Sequence, residues 1–255
     1  MLGEARVSTY AITIRTTDRQ PKAKNYVFAT LANLQRAGVF GSQTPFQLRI
    51  FADATAGPAF IEQLRAWETR CNRLSVDTAD RKPTPNGNAA RALQWAAAQD
   101  SDYVIFLEDD LDFCACFLES VDAWLGTHRR PDRHLYPLCA AYPRAIRDVL
   151  RRGGESWEYP IASFYGTQGY VLPREEARRC AAYMAEHPTY RGVHQGHDLL
   201  LTDWARETWP EVKHFLATAP CFVQHVGEES SLHPGRFHAY AAFAGQNWSY
   251  GAVRS

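Results

Sequence analysis

Residues 102–112 read Asp-Tyr-Val-Ile-Phe-Leu-Glu-Asp-Asp-Leu-Asp. Tyr103–Leu107 is an unbroken apolar run of strand length, the pattern of a strand covered on both faces inside a parallel sheet. Glu108, Asp109 and Asp110 follow at once. Adjacent anions repel one another, and a fold gains nothing by placing them at the mouth of a core strand. A divalent cation relieves that repulsion. Mg²⁺ and Mn²⁺ take oxygen ligands and leave positions open for substrate phosphates. The competing explanation is a solvated acidic turn before a helix whose first residues favour negative charge.

Working outward, the first half alternates strand and helix patterns. Tyr10–Ile14 reads as a buried strand, followed by the turn-prone Arg15-Thr16-Thr17-Asp18-Arg19. Lys22–Ala37 reads as a helix through Val27, Leu31 and Leu34, stopped by Gly38. Phe46–Ala52 is a second strand ending at Asp53, and Arg73–Asp77 a short third. Between them Phe60, Leu64, Trp67 and Cys71 form one helical stripe. Asn88 is expected to cap a helix running to about Gln99. The alternation predicts an α/β fold, a mostly parallel sheet with helices on both faces. Ligands in such sheets bind beyond the carboxyl ends of the strands. That rule selects Thr16–Arg19, Asp53, Asp80-Arg81 and Glu108–Asp110. The second half is less regular: a strand-like Ala162–Leu172, a helix opened by Pro173, a helix near Asp198–Glu207 and a strand near Cys221–His225.

The chain has 255 residues, enough for one large or two small domains with a core that needs no disulfide or metal staple. Lys+Arg 28 balance Asp+Glu 28, which weakens the case for a dedicated nucleic-acid or polybasic membrane binder. No apolar run approaches the roughly 20 residues that span a bilayer, and Met1–Tyr10 lacks a signal-peptide core. A cytoplasmic protein without a membrane anchor is the expectation. The six cysteines show no metal or redox spacing and read as reduced and mostly buried.

Strand-then-Glu108-Asp109-Asp110, preceded by Asn88-Ala-Ala-Arg91-Ala-Leu and a helix, resembles the nucleotide-sugar half of a GT-A glycosyltransferase. In that fold an acidic motif, usually Asp-x-Asp, binds the metal held by the donor diphosphate. Tyr165-Gly166-Thr167-Gln168-Gly169-Tyr170 resembles the glycine loop near the donor sugar. Gly196-His197-Asp198 resembles the element whose last acid is the base in inverting members, and Gln224-His225-Val226-Gly227 resembles the histidine that completes the metal shell. Phe222–Leu232 is also similar to the corresponding stretch of the N-acetylglucosaminyltransferase IV family.

The resemblance implies a single GT-A-like domain over 1–255, with 1–112 as nucleotide-sugar half and 113–255 as acceptor side. Asp110 and His225 would bind Mn²⁺ or Mg²⁺. Thr16, Arg19, Asp53, Arg91, Glu108, Asp109, Gly166 and Gly169 would hold a nucleoside-diphosphate sugar, UDP-linked. Asp198 would be the catalytic base. Each residue also has a plainer reading. An imidazole suits Mn²⁺ better than Mg²⁺, but a lone histidine after a strand is commonly structural. A carboxylate within reach can take a hydroxyl proton, yet Asp198 could also be a helix N-cap. Gly166 and Gly169 could form a bulge, Arg91 could lie on the surface, and Asp53 could be a turn residue.

Between His128 and Arg152 the chain carries Arg129, Arg130, Arg133, Arg144, Arg147, Arg151 and Arg152 against Asp132 and Asp148. This suggests a solvated helix face or an anionic acceptor such as a phosphorylated glycan, lipid or DNA. The aromatic tail, Phe237, Tyr240, Phe243, Trp248 and Tyr250, could pack as core or stack on a sugar or base. The leading expectation is a metal-dependent inverting glycosyltransferase acting on a glycan precursor or a hydroxymethylated base in phage DNA. A nucleotidyltransferase or sugar-nucleotide synthase would need a glycine-rich phosphate loop after the first strand, and Arg15–Arg19 has no glycine. A non-catalytic carbohydrate-binding module would need neither the acidic triplet nor the histidine.

Overall fold

The structure is a computed structural model that describes residues 7–20, 24–53, 56–79, 84–165, 167–192, 196–227 and 243–251. The elements run β1 (Tyr10–Thr16), α1 (Val27–Arg36), β2 (Phe46–Ala52), α2 (Pro58–Arg65), β3 (Leu74–Thr78), α3 (Pro85–Ala98), β4 (Tyr103–Leu107) and β5 (Leu111–Phe113). They continue with α4 (Phe117–His128), β6 (Tyr136–Pro137), α5 (Pro143–Arg151), β7 (Ser156–Pro160), β8 (Gly169–Pro173), α6 (Arg174–Glu186), α7 (His197–Thr208), β9 (His214–Thr218) and β10 (Val223–His225).

The central sheet has the order β3-β2-β1-β4-β8-β6. Its first four strands are parallel, because a helix crosses back between each strand and the next. β8 then pairs antiparallel with β4, and β6 with β8. Two small ribbons complete the fold, β10 on β5 and β7 on β9, both antiparallel. Ile12, Ile14, Leu48, Ile50, Val104 and Ile105 are fully buried in the sheet. Each such side chain contributes about 1.5–3 kcal/mol by leaving water. On α3, Ala89, Ala92, Leu93 and Ala96 recur at helical spacing and are buried, and their small size lets the helix lie close to β1 and α6.

β2 and β4 have the boundaries read from the sequence, and β3 starts one residue later than expected. Four local expectations need correction. Thr84, not Asn88, caps α3: its hydroxyl accepts from Gly87 N at 3.0 Å, ahead of Pro85 at the first helical position. Asn88 is buried within the helix and donates to the Phe51 carbonyl at 3.3 Å. α1 begins at Val27 rather than Lys22. The strand expected over Ala162–Leu172 begins only at Gly169, after a single tight turn at Ile161–Ser163. Pro173 closes β8, and α6 starts at the residue after it.

The six cysteines are free, and only Cys116 is exposed. No helix among the described residues is long and apolar enough to cross a membrane.

Candidate active site

The acidic triplet sits where β1 and β4 end side by side. Thr16, the last residue of β1, donates its hydroxyl to Asp109 Oδ2 at 2.6 Å, and Arg19 Nη2 donates to Asp109 Oδ1 at 2.7 Å. The Arg19 guanidinium also lies over the Tyr26 ring, 5.2 Å from its centre. α1 fixes the turn itself: the Thr30 hydroxyl donates to the Asp109 carbonyl at 2.8 Å and accepts from Leu111 N at 2.9 Å. Asn33 adds a bond to the Leu111 carbonyl. Asp109 and Asp110 are consequently buried, at 5% and 7% exposure, where a solvated turn would leave them open.

Glu108 has a different task. Arg15 Nη2 reaches its Oε1 at 2.9 Å, and the Thr167 hydroxyl donates to the same oxygen at 2.8 Å. Arg15 also donates to the Pro85 carbonyl at 3.4 Å and lies 5.7 Å from the centre of the Phe106 ring. Glu108 is thereby a strut between β1 and the loop entering β8. Arg15 was legible in sequence only as a turn residue. Its signal was a cation next to the end of an otherwise buried strand, which demands a partner.

The third carboxylate, Asp110, meets the C-terminal part of the chain. β10 pairs with β5 so that His225 stands opposite Leu111, and His225 Nε2 lies 3.0 Å from Asp110 Oδ2. Val226 N donates to the Asp110 carbonyl at 2.9 Å. A Cβ placed on Gly227 would stand 2.5 Å from Asp110 Oδ2, so only glycine permits this approach. Asp110 Oδ1 is buried and has no hydrogen-bond partner among the described residues. A buried carboxylate oxygen left without a donor is costly, and a cation satisfies it. The donor set, carboxylate plus imidazole, fits Mn²⁺ or Mg²⁺. Among the described residues no three metal-binding side chains cluster.

The electrostatics follow from burial. Burial raises the Asp109 carboxyl above its ordinary range; Arg19 opposes the rise and Asp110 adds to it. Burial works against the Arg19 charge, yet Asp109, Asp110 and Glu108 outweigh it and hold its pKa above the ordinary value. Three carboxylates thus share this strand end with two guanidiniums, those of Arg15 and Arg19.

The remaining expected residues are placed as follows. Asp198 lies in the first turn of α7, which Gly196 opens in the left-handed conformation, so it is not the cap. Its helix is pinned by His197: Nε2 is 3.1 Å from the Tyr170 hydroxyl, and the ring meets Phe106 edge-on at 4.8 Å. Phe106 is also the ring beneath Arg15. His197 was not singled out from the sequence, which shows no signal separating it from other histidines. Asp53 follows β2 and borders a groove of about 460 Å³ lined by Ile61, Arg65 and Thr78. Arg91 stacks on Phe51 and donates to the Ala52 carbonyl at 3.1 Å, so it braces the end of β2 while Arg15 meets the acids. Gly169 is enclosed by Val223 and Leu107, whose side chains lie 3.2 and 3.3 Å from where its Cβ would be. Gly166 lies outside the described residues.

No protein-family model matches the chain, and no curated protein matches it. Solved structures do. GalNAc-T7 with UDP, GalNAc and Mn²⁺ aligns at TM-score 0.60 and 10% identity, over 91% of this chain and 47% of that one. S. aureus TarS aligns at TM-score 0.55 and 12% identity, over 83% of this chain and 35% of that one. The S. aureus TarS 1-349 structure gives 0.51 and 10%, with 83% and 58% covered. The chain thus spans well under two thirds of each. These are GT-A-type glycosyltransferases. A six-stranded, mostly parallel sheet flanked by helices, with acids at the end of β4, gives this chain the GT-A fold.

Proposed function

We propose that the protein is a metal-dependent glycosyltransferase that moves a sugar from a UDP-linked donor to an acceptor hydroxyl with inversion. The observation that carries this reading is the buried, donorless Oδ1 of Asp110, beside His225 and Gly227 at the end of β4. Asp110 and His225 would hold a divalent cation. Such a cation supplies Lewis-acid stabilisation of the negative charge that grows on a departing diphosphate. Arg19 and Thr16 fix Asp109 and keep the strand end rigid. Thr16, Arg19 and Asp53 face the nucleotide, and the loop through Gly166 and Thr167, tied to Glu108, borders the sugar. Asp198 takes the proton of the attacking hydroxyl.

GalNAc-T7, which carries UDP, GalNAc and Mn²⁺ on the same fold, supports the donor class. Residues 228–232, the last five of the stretch that resembles the N-acetylglucosaminyltransferase IV family, lie outside the described ones. The acceptor is a glycan precursor, and a hydroxymethylated base in phage DNA is its competitor. The test is UDP release from UDP-GlcNAc, UDP-GalNAc and UDP-glucose with MnCl₂ or with EDTA. Manganese-dependent release that disappears in Asp110→Ala is the expected result. Equal release in EDTA, or no Mn²⁺–UDP binding by calorimetry, overturns the reading.

A further inference from the structure

The local arginine excess divides in two once the chain is folded. Arg129 is bound to the Tyr103 hydroxyl at 2.9 Å, and Arg130 and Arg133 share Glu158 at 3.1 Å. Glu158 also faces His214. Arg130 and Arg133 are thereby paired with a carboxylate, and Arg129 is held by a phenol. The others ride on α5, whose Ile146 is buried and whose Val149 packs against the core. At 100° per residue Arg144, Arg147 and Arg151 fall within an arc of about 60° on the opposite side. Their spacing along the axis covers about 10 Å at 1.5 Å per residue.

All three are exposed, and the Arg151 side chain retains 75% of its accessible surface. Asp148 is the only carboxylate on α5 and pairs with Arg151 at 3.0 Å. Among the described residues neither Arg144 nor Arg147 has a carboxylate partner. Arg152, just past the helix, adds a further exposed cation whose guanidinium donates to the Asp148 carbonyl.

The start of α5 is joined to the carboxylate site by contacts. Tyr142, 40% exposed at the start of α5, lies 5.7 Å from Trp157 and 5.6 Å from Tyr159, ring centre to ring centre. The Tyr159 hydroxyl bonds both backbone groups of Tyr165, accepting from N at 3.0 Å and donating to O at 3.2 Å. Tyr165 is 41% exposed and lies two residues before Thr167, whose hydroxyl holds Glu108. Aromatic rings half open to water suit the apolar faces of sugars, and planar guanidiniums suit phosphate.

We infer that the Arg144–Arg147–Arg151 face of α5, with Tyr142 and Tyr165, binds a single-chain acceptor polymer that carries phosphodiester groups between sugar or polyol units. The assignment of this polymer as the acceptor rests on the glycosyltransferase reading; its binding to α5 does not. A single nine-residue helix face in a chain of zero net charge fits one flexible strand better than the wide phosphate surface of a duplex.

The probe is a fluorescein-labelled synthetic decamer of poly(glycerol phosphate), read by anisotropy against sodium chloride. Dextran of equal length and a 20-base-pair DNA duplex are run beside it. Arg144→Gln/Arg147→Gln/Arg151→Gln is compared with Arg178→Gln/Arg179→Gln/Arg206→Gln, which removes equal charge from α6 and α7. The decamer is expected to bind the wild type and the control alike, and the α5 variant at least roughly tenfold more weakly. Its slope of log Kd on log salt falls by about 2, at roughly 0.7 per phosphate contact. Dextran binds weakly and equally to all three proteins.

Equal losses in the two triple variants, or no wild-type binding of the decamer at low salt, overturns the proposal. Tighter binding of the duplex than of the decamer also overturns it and makes nucleic acid the occupant. Mn²⁺–UDP affinity by calorimetry, expected to be equal in all three proteins, separates the two ideas. Decamer binding without any Mn²⁺–UDP binding sinks the glycosyltransferase reading and leaves the α5 surface standing.

Discussion

His225 Nε2 lies 3.0 Å from Asp110 Oδ2 because β10 pairs antiparallel with β5 in the register that sets His225 opposite Leu111. A pair of three-residue strands, extended by the Val226 N to Asp110 carbonyl bond, brings these distant parts of the chain together, and α1 locks their base through Thr30 and Asn33. The pair is therefore the point at which metal chemistry is most open to test.

Asp110→Ala and His225→Ala should each abolish manganese-dependent UDP binding while the melting temperature stays near wild type. Removing the Asp110 side chain relieves charge crowding at a strand end, His225→Ala removes a ring at the end of a short ribbon, and neither opens an apolar cavity. Calorimetry with Mn²⁺ and UDP reads the first effect and thermal denaturation the second. Unchanged nucleotide affinity in both variants would remove the metal assignment.

Gly227→Ala tests the geometry without touching a ligand. Its new methyl group would stand 2.5 Å from Asp110 Oδ2, so the carboxylate or the strand must move. Mn²⁺–UDP affinity should fall by on the order of tenfold, about 1.4 kcal/mol. Wild-type affinity in this variant would mean that Asp110 does not need its observed position.

Asp198→Asn should leave Mn²⁺–UDP affinity near wild type and lower turnover by roughly 10²–10⁴, the usual share of a general base. Product stereochemistry gives a second check, since retention at the anomeric carbon would take Asp198 out of the role.

His197 gives a pH signature. Burial, and next the Arg15 charge, hold its imidazole well below the ordinary 6.5. Near and below pH 6.5 the unfolded chain takes up a proton that the folded chain refuses, so this residue lowers stability as pH falls and leaves it untouched above. The slope approaches about 1.4 kcal/mol per pH unit for one full proton. Urea unfolding between pH 7 and pH 5 should show a smaller acid loss in His197→Gln than in the wild type. Equal losses would mean that His197 is protonated in the folded state.

What the sequence determined by itself was the parallel half and the place of its acids. Tyr103–Leu107 was legible to the residue because a strand buried on both faces must be apolar throughout, and that is a local property of the chain; Phe46–Ala52 was equally legible although Gln47 and Arg49 interrupt its apolar run. Glu108–Asp110 at the exit of β4 followed from the same reading. The tertiary structure decided the rest. β5 and β10 are too short to show any periodicity, and their pairing depends on residues more than a hundred positions apart. Which arginine meets the acids was equally hidden. Arg15 and Arg91 both lie near strand ends, but Arg91, on α3, stacks on Phe51, and Glu108 pairs with Arg15. The arginine excess, uniform in the sequence, became a spent half and a displayed half only when Glu158 on β7 came within reach of Arg130 and Arg133. Periodicity reports what a segment buries; which distant segment it is buried against is set by packing and charge pairing across the whole fold.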